Sequence, residues 1–137
     1  MANELDRDDG IDVTLTFAIA NPGAAATTDL TLAQGNAGFV VPAGYQFHPI
    51  CISGASNADL TAGTATFKVT RDGTELTNGP TAALSDTVQK KAGVQRVDAD
   101  PIAAGVVVGV SVTTDAGYLP VTADLDAILV GKLLPAY

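Results

Sequence analysis

The chain has 137 residues, a formal net charge of −8 and one cysteine, so it has the size of one domain and cannot form an internal disulfide. Glycine (14) and threonine (16) are abundant, tryptophan is absent and methionine occurs once, which is typical of strands and tight turns. The negative charge disfavours binding to nucleic acid and to anionic membranes.

The amino terminus, MANELDRDDG, is polar and acidic, without the basic and then apolar pattern of a secretory signal. The most apolar run, residues 101–112, is interrupted by glycine and falls short of the ~20 residues that cross a bilayer as a helix. We therefore expect an acidic arm (residues 1–10), one domain (residues 11–137) and no membrane partner.

Residues 11–19 form the clearest predicted strand, because apolar and polar side chains alternate with a period of two and Asn21-Pro22-Gly23 follows. A type I′ hairpin is predicted at Asp72-Gly73, and Pro49 is predicted to mark an edge or a bulge. Residues 54–63 are predicted to be a loop, and residues 82–91 are ambiguous, with strand favoured over helix. Further strands are predicted at 30–33, 39–41, 45–48, 50–52, 64–71, 74–76, 94–97, 106–113 and 125–134.

The last predicted strand is apolar on both faces. Leu125, Ala127 and Leu129 share one face, and Ile128 and Val130 share the other. Such a strand lies in the centre of a sheet or lines a subunit interface. About eight short strands in one domain predict an antiparallel β-sandwich or jelly roll.

Catalytic and metal chemistry has few candidates. His48 is the single histidine, and its odd spacing from Cys51 predicts opposite faces of a strand, which disfavours a Cys–His dyad. One histidine and one cysteine do not make a transition-metal site. Residues 6–12 concentrate aspartates that could bind calcium, but they lack EF-hand spacing, so a solvated arm is favoured. We expect no cofactor and no enzyme activity.

Surfaces are therefore the expected sites of function. The arm is predicted to bind a neighbouring chain, and Tyr45, Tyr118 and Tyr137 are predicted to be surface or interface aromatics. The absence of tryptophan disfavours a sugar-stacking platform. The candidate partner-binding residues are Glu4, Asp6, Arg7, Asp8, Tyr118, Ile128, Val130 and Tyr137.

The segments VVVGVSVTTDAGYLPVTADL (residues 106–125) and DLTAG (residues 59–63) resemble jelly-roll domains of tailed-bacteriophage structural proteins, namely capsid decoration (cement) proteins and fibre heads. The resemblance covers roughly residues 39–134 and includes no diagnostic motif. It implies a homotrimer on the exterior of the virion, made in the host cytoplasm, that binds the major capsid protein and stabilises the shell. The alternative is a receptor- or carbohydrate-binding β-sandwich of a fibre or adhesin.

Overall fold

A computed structural model describes residues 10–32, 35–85, 91–92 and 99–136. Within these ranges every regular element is a β-strand, which confirms the all-β prediction. The strands are β1 (Ile11–Ile19), β2 (Thr27–Asp29), β3 (Thr31–Leu32), β4 (Phe39–Val40), β5 (Tyr45–Ser56), β6 (Ala65–Arg71), β7 (Thr74–Glu75), β8 (Thr81–Leu84), β9 (Lys91–Ala92), β10 (Val107–Thr114) and β11 (Leu125–Pro135).

The strands form two antiparallel sheets. One has the order β3-β1-β11-β5-β9. In the other sheet, β10 and β6 pair with each other at the centre. β2 and β4 pair with the edge of β10 that faces away from β6, and β7 and β8 pair with the edge of β6 that faces away from β10. Because β2 and β4 share one edge of β10, and β7 and β8 share one edge of β6, each of these pairs counts as one strand of a jelly roll. Without β3, the two sheets then have eight strands in the jelly-roll order, in which the first and last strands are neighbours. The predicted β-sandwich of about eight strands is confirmed, with β3 as an added edge strand.

Both sheets contribute to one core. Phe17, Ile52 and Leu129 of the first sheet and Phe67 and Val110 of the second are buried in the same hydrophobic cluster. Their positions follow the alternation in the sequence, because every second residue of a strand points to the same side. Ala65, Phe67 and Val69 of β6 are buried for this reason.

Close packing of the two sheets depends on a glycine in β5. A Cβ atom added at Gly54 would lie 2.2 Å from Cε2 of Phe67, so the phenylalanine ring occupies the space of a side chain. The predicted loop at residues 54–63 is thus wrong at its start, because β5 continues to Ser56 and pairs with β11 along its length. A glycine that reads as a turn signal here makes room for a ring from the opposite sheet.

A β-bulge interrupts the ladder between β5 and β11. Cys51 is opposite Val130 and Pro49 is opposite Gly131, so Ile50 is an extra residue on β5. The predicted bulge at Pro49 is confirmed. Because an extra residue reverses the alternation, the faces of β5 exchange at this point.

The other predicted elements have mixed outcomes. Asp72 and Gly73 have φ angles of 48° and 81°, as the predicted type I′ turn requires. Of the predicted strand 30–33, Thr31 and Leu32 form β3, Leu30 is a buried residue between β2 and β3, and residue 33 lies outside the described ranges. The ambiguous segment 82–91 begins in strand β8, and its residues 86–90 lie outside the described ranges. The predicted strand 94–97 also lies outside them. Within those ranges no helix is long and apolar enough to span a membrane.

Replacing Gly54 with alanine is predicted to lower the free energy of unfolding by about 1–3 kcal/mol, because the new methyl group overlaps the ring of Phe67. Urea denaturation followed by circular dichroism measures the change. Gly117→Ala is the matched control: its added Cβ would be 3.9 Å from the nearest atom, so we expect a change below about 0.5 kcal/mol. Equal stabilities of the two variants would contradict this account of the packing.

Candidate interaction surface

The outer face of the five-stranded sheet carries a neutral patch at its centre. Two cross-strand rows run over β1, β11 and β5, and their side chains point away from the core. We name the six residues of these rows the outer patch: Thr14, Val130 and Cys51 in one row, and Thr16, Ile128 and Ser53 in the other.

The outer patch is partly exposed and contains no charged residue. Val130 is 38% exposed, and Ile128 is half-buried. Charges begin in the adjoining rows, where Lys132 Nζ lies 3.7 Å from Asp12 Oδ1 on one side and Asp126 is exposed on the other. On a chain of net charge −8, a patch without charged side chains offers another protein a surface where apolar groups can be buried with little electrostatic repulsion.

Ile128 and Val130 were predicted from the two-sided apolar pattern of the last strand. The structure confirms that this strand is central, because β11 pairs with β1 on one side and with β5 on the other. Strand pairing covers the edges of β11 but leaves the outward side chains at the surface. A partner-binding role for Ile128 and Val130 stays a prediction.

Tyr118 is not a surface aromatic, and that prediction is wrong. Its side chain is 0% exposed and belongs to the core cluster. The loop between β10 and β11 folds back on the β5–β6 loop, where the amide of Leu119 donates to the carbonyl of Ala62 at 3.0 Å. Gly63 permits this contact, since a Cβ atom there would lie 2.5 Å from the amide nitrogen of Tyr118. The ring is thereby directed into the sandwich.

The exposed apolar residues of this loop are the neighbours of Tyr118 in sequence. Leu119 is 49% exposed and Val121 is 39% exposed, and neither was singled out from the sequence. Their exposure could not be predicted from the sequence, because one leucine and one valine on either side of Pro120 do not form a periodic pattern. They form a second, smaller apolar site at one end of the sandwich.

Asp115 fixes the loops at this end. Its side chain accepts hydrogen bonds from the amide and hydroxyl of Thr64, both at 3.2 Å, and its carbonyl accepts from the amide of Ala25 at 2.9 Å. These contacts join the β10–β11 loop to the β5–β6 and β1–β2 loops. The aspartate is therefore a structural residue, as expected of turn aspartates.

Five predicted partner-binding residues lie outside the described ranges. They are Glu4, Asp6, Arg7 and Asp8 of the acidic arm and Tyr137 at the other end. The boundary between arm and domain at residue 10 likewise stays a prediction, as does the interpretation of residues 6–12 as a solvated arm.

His48 and Cys51 lie on the same face of β5, which corrects the prediction of opposite faces. His48 is opposite Lys132 and Cys51 is opposite Val130, and these two β11 residues share the outer face. The alternation rule failed because the bulge adds Ile50 between them.

The residues that the structure describes contain no group of three or more His, Cys, Asp or Glu side chains that could hold a metal ion. A surface depression of about 450 Å³ lies beside the end of β1 and includes three aspartates. Its lining residues are Ala18, Ile19, Ala20, Asp29, Thr31, Asp124 and Asp126. The three aspartates are exposed, and we interpret them as solvated surface carboxylates.

Comparisons with known proteins give a match of fold. No protein-family model matches the sequence, and no curated protein matches it. Among solved structures, the fold is similar to a chain of the capsid asymmetric unit of cyanophage Pam1, with a TM-score of 0.53 and 14% sequence identity. The alignment covers 94% of this chain and 89% of that chain, so the two have nearly the same length.

Tyr118 provides a test of the buried loop. Burial raises the pKa of its phenol above the ordinary value of 10.0. The unfolded chain therefore releases this proton first, and the folded state loses stability as the pH rises past 10. Within the described ranges the hydroxyl has no hydrogen-bond partner.

Tyr118→Phe is expected to leave the free energy of unfolding at pH 7 unchanged or raised by up to about 1 kcal/mol, and to reduce the loss of stability above pH 10. Thermal unfolding between pH 7 and pH 11, with the half-buried Tyr45→Phe as control, measures both effects. A loss of more than about 2 kcal/mol in Tyr118→Phe at pH 7 would show that the hydroxyl has a stabilising partner.

Proposed function

We propose that this chain is a structural protein of a tailed-bacteriophage virion, made in the host cytoplasm. In this proposal it is a capsid decoration protein that binds the major capsid protein on the exterior of the head as a homotrimer. It acts without a catalytic site and without contact to nucleic acid.

The observation that carries the proposal is the match of fold over nearly the whole of two chains of similar length. The matched chain belongs to a phage capsid asymmetric unit, and 89% of it is covered. A complete jelly roll of this size is therefore compatible with a place of its own in a capsid. The sequence resemblance to decoration proteins supports the same role.

The outer patch supports the proposed trimer. Its six residues are neutral, and those on β11 and β5 are small or apolar. Ile128, Cys51 and Ser53 are half-buried, and Val130 is exposed. An interface centred on Val130 and Ile128 would bury apolar surface from each subunit and keep the charged rows at its rim. The remaining negative charge would then suit a basic surface on the capsid.

Stabilisation of the shell follows from linkage. A protein that binds the assembled shell and not the separate capsid subunits stabilises the shell by its binding free energy. A trimer at a threefold position contacts several capsid subunits at once, so dissociation of one subunit would break contacts to the others. In this proposal the acidic arm, with Glu4, Asp6, Arg7 and Asp8, supplies part of the contact.

Val130→Glu is expected to convert the trimer to monomers in native mass spectrometry at micromolar concentration, because three carboxylates would be buried near the threefold axis. Val40→Glu is the matched control. Val40 is 57% exposed on the opposite sheet, so the same substitution adds the same charge outside the outer patch. A trimer that survives Val130→Glu, or a wild-type chain that is monomeric, would contradict the proposed interface.

Binding to capsid shells tests the function itself. Purified shells of the phage that encodes the chain, lacking it, are incubated with the recombinant protein and sedimented through sucrose. We expect wild-type protein to sediment at a fixed ratio to the major capsid protein. Deletion of residues 1–10 is expected to abolish this binding and leave the circular dichroism spectrum unchanged. Absence of binding, together with strong signals on a glycan array, would favour the receptor- or carbohydrate-binding alternative.

A further inference from the structure

One long strand edge has no partner in the described part of the chain. β1 pairs with β11 along its whole length, from Ile11 to Ile19. On its other side it pairs with β3 at two residues, Phe17 and Ala18. We name the remaining side of residues 11–16 the open edge.

Turn geometry shows which backbone groups face the open edge. The amide of Leu32 donates to Asn36 at 2.8 Å and its carbonyl accepts from Gly35 at 2.7 Å, so the backbone of Leu32 points away from β1. The backbone amide and carbonyl of the preceding residue, Thr31, therefore point toward β1, opposite Ala18. Because strand backbones alternate, the amides and carbonyls at the open edge are those of Asp12, Thr14 and Thr16.

The sandwich is also incompletely covered beneath this edge. Val13 and Leu15 point to the core side but are half-buried, and Ile11 is 48% exposed. The open edge contains no lysine, proline or bulge, which are the usual means of preventing edge pairing. Its charged side chain, Asp12, is held near Lys132. Backbone groups and apolar side chains are thus both available to an added strand.

We infer that the open edge receives an extended segment of the major capsid protein, which adds to the sheet as a strand beside β1. This inference rests on the proposed function and names the contact that the partner makes. The segment would span about six residues and place alternate apolar side chains over Ile11, Val13 and Leu15. Opposite Asp12 it would carry a basic or hydroxyl side chain, as suits an acidic chain.

Edge lengths favour a capsid segment over a second copy of this chain. A threefold ring joins unlike edges of neighbouring subunits. The other edge strands that the structure describes are β3, β9, β4 and β7 with two residues each, β2 with three and β8 with four. None of these strands, over its described residues, spans the six residues of the open edge by itself. A second copy could match it through its own β1 in a twofold dimer, which a trimer excludes.

Thr14→Pro tests the inference, because it removes an amide that faces the open edge and keeps the bonds to β11. Thr14→Ser is the matched control, since it keeps both the amide and the hydroxyl. In the sedimentation assay with capsid shells we expect Thr14→Pro to bind at least tenfold more weakly than wild type and Thr14→Ser to bind within twofold of it. Thr14 also belongs to the outer patch, so native mass spectrometry of both variants reports whether the trimer is kept. Asp12→Pro is the second variant, because it removes another amide of the open edge outside the outer patch; it is expected to keep the trimer and to bind shells at least tenfold more weakly than wild type.

The outcomes separate the inference from the proposed function. Equal shell binding by Thr14→Pro and wild type would overturn the inference and leave the decoration role intact. Failure of the wild type to bind shells would remove both. A wild-type dimer that Thr14→Pro converts to monomers would assign the open edge to a second copy and overturn the capsid partner.

Hydrogen exchange provides a measurement on the wild type that does not depend on the folding of a variant. The amides of Asp12, Thr14 and Thr16 are expected to exchange rapidly in the isolated protein and to become protected on shells. Unchanged exchange of these amides in shell-bound protein would overturn the inference.

Discussion

The ladder that joins β11 to β1 and β5 is the interaction on which the rest of the structure depends. It brings the first and last strands of the chain together and places β5 beside them. Leu125, Ala127 and Leu129 then face the second sheet and are buried. The outer patch exists because the same ladder aligns the alternate residues of three strands on the outer face.

Two local features of β5 determine how its two faces are used. Gly54 lets the ring of Phe67 approach the backbone of β5, which brings the two sheets close together. The bulge at Ile50 turns the face of β5, so that His48 and Cys51 lie in the outer rows beside Lys132 and Val130. Which residues of β5 lie on the outer face therefore depends on one extra residue.

The sequence was sufficient where local alternation decides the structure. Residues 11–19 and 65–71 alternate regularly and form β1 and β6, and the Asp72-Gly73 turn has the expected conformation. The sequence was insufficient where contacts between residues distant in the chain determine the structure. Tyr118 is buried because its loop pairs with residues near Gly63. Likewise, the extent of β5 and the rows of the outer patch depend on register with β11, which a single strand does not encode.

Cryo-electron microscopy of capsid shells incubated with the protein tests the central claim most directly. The account predicts three copies of the sandwich on the outside of the head at threefold positions, with their outer patches facing one another and a strand of capsid protein beside β1. Shells without added density, or density confined to the tail, would contradict it.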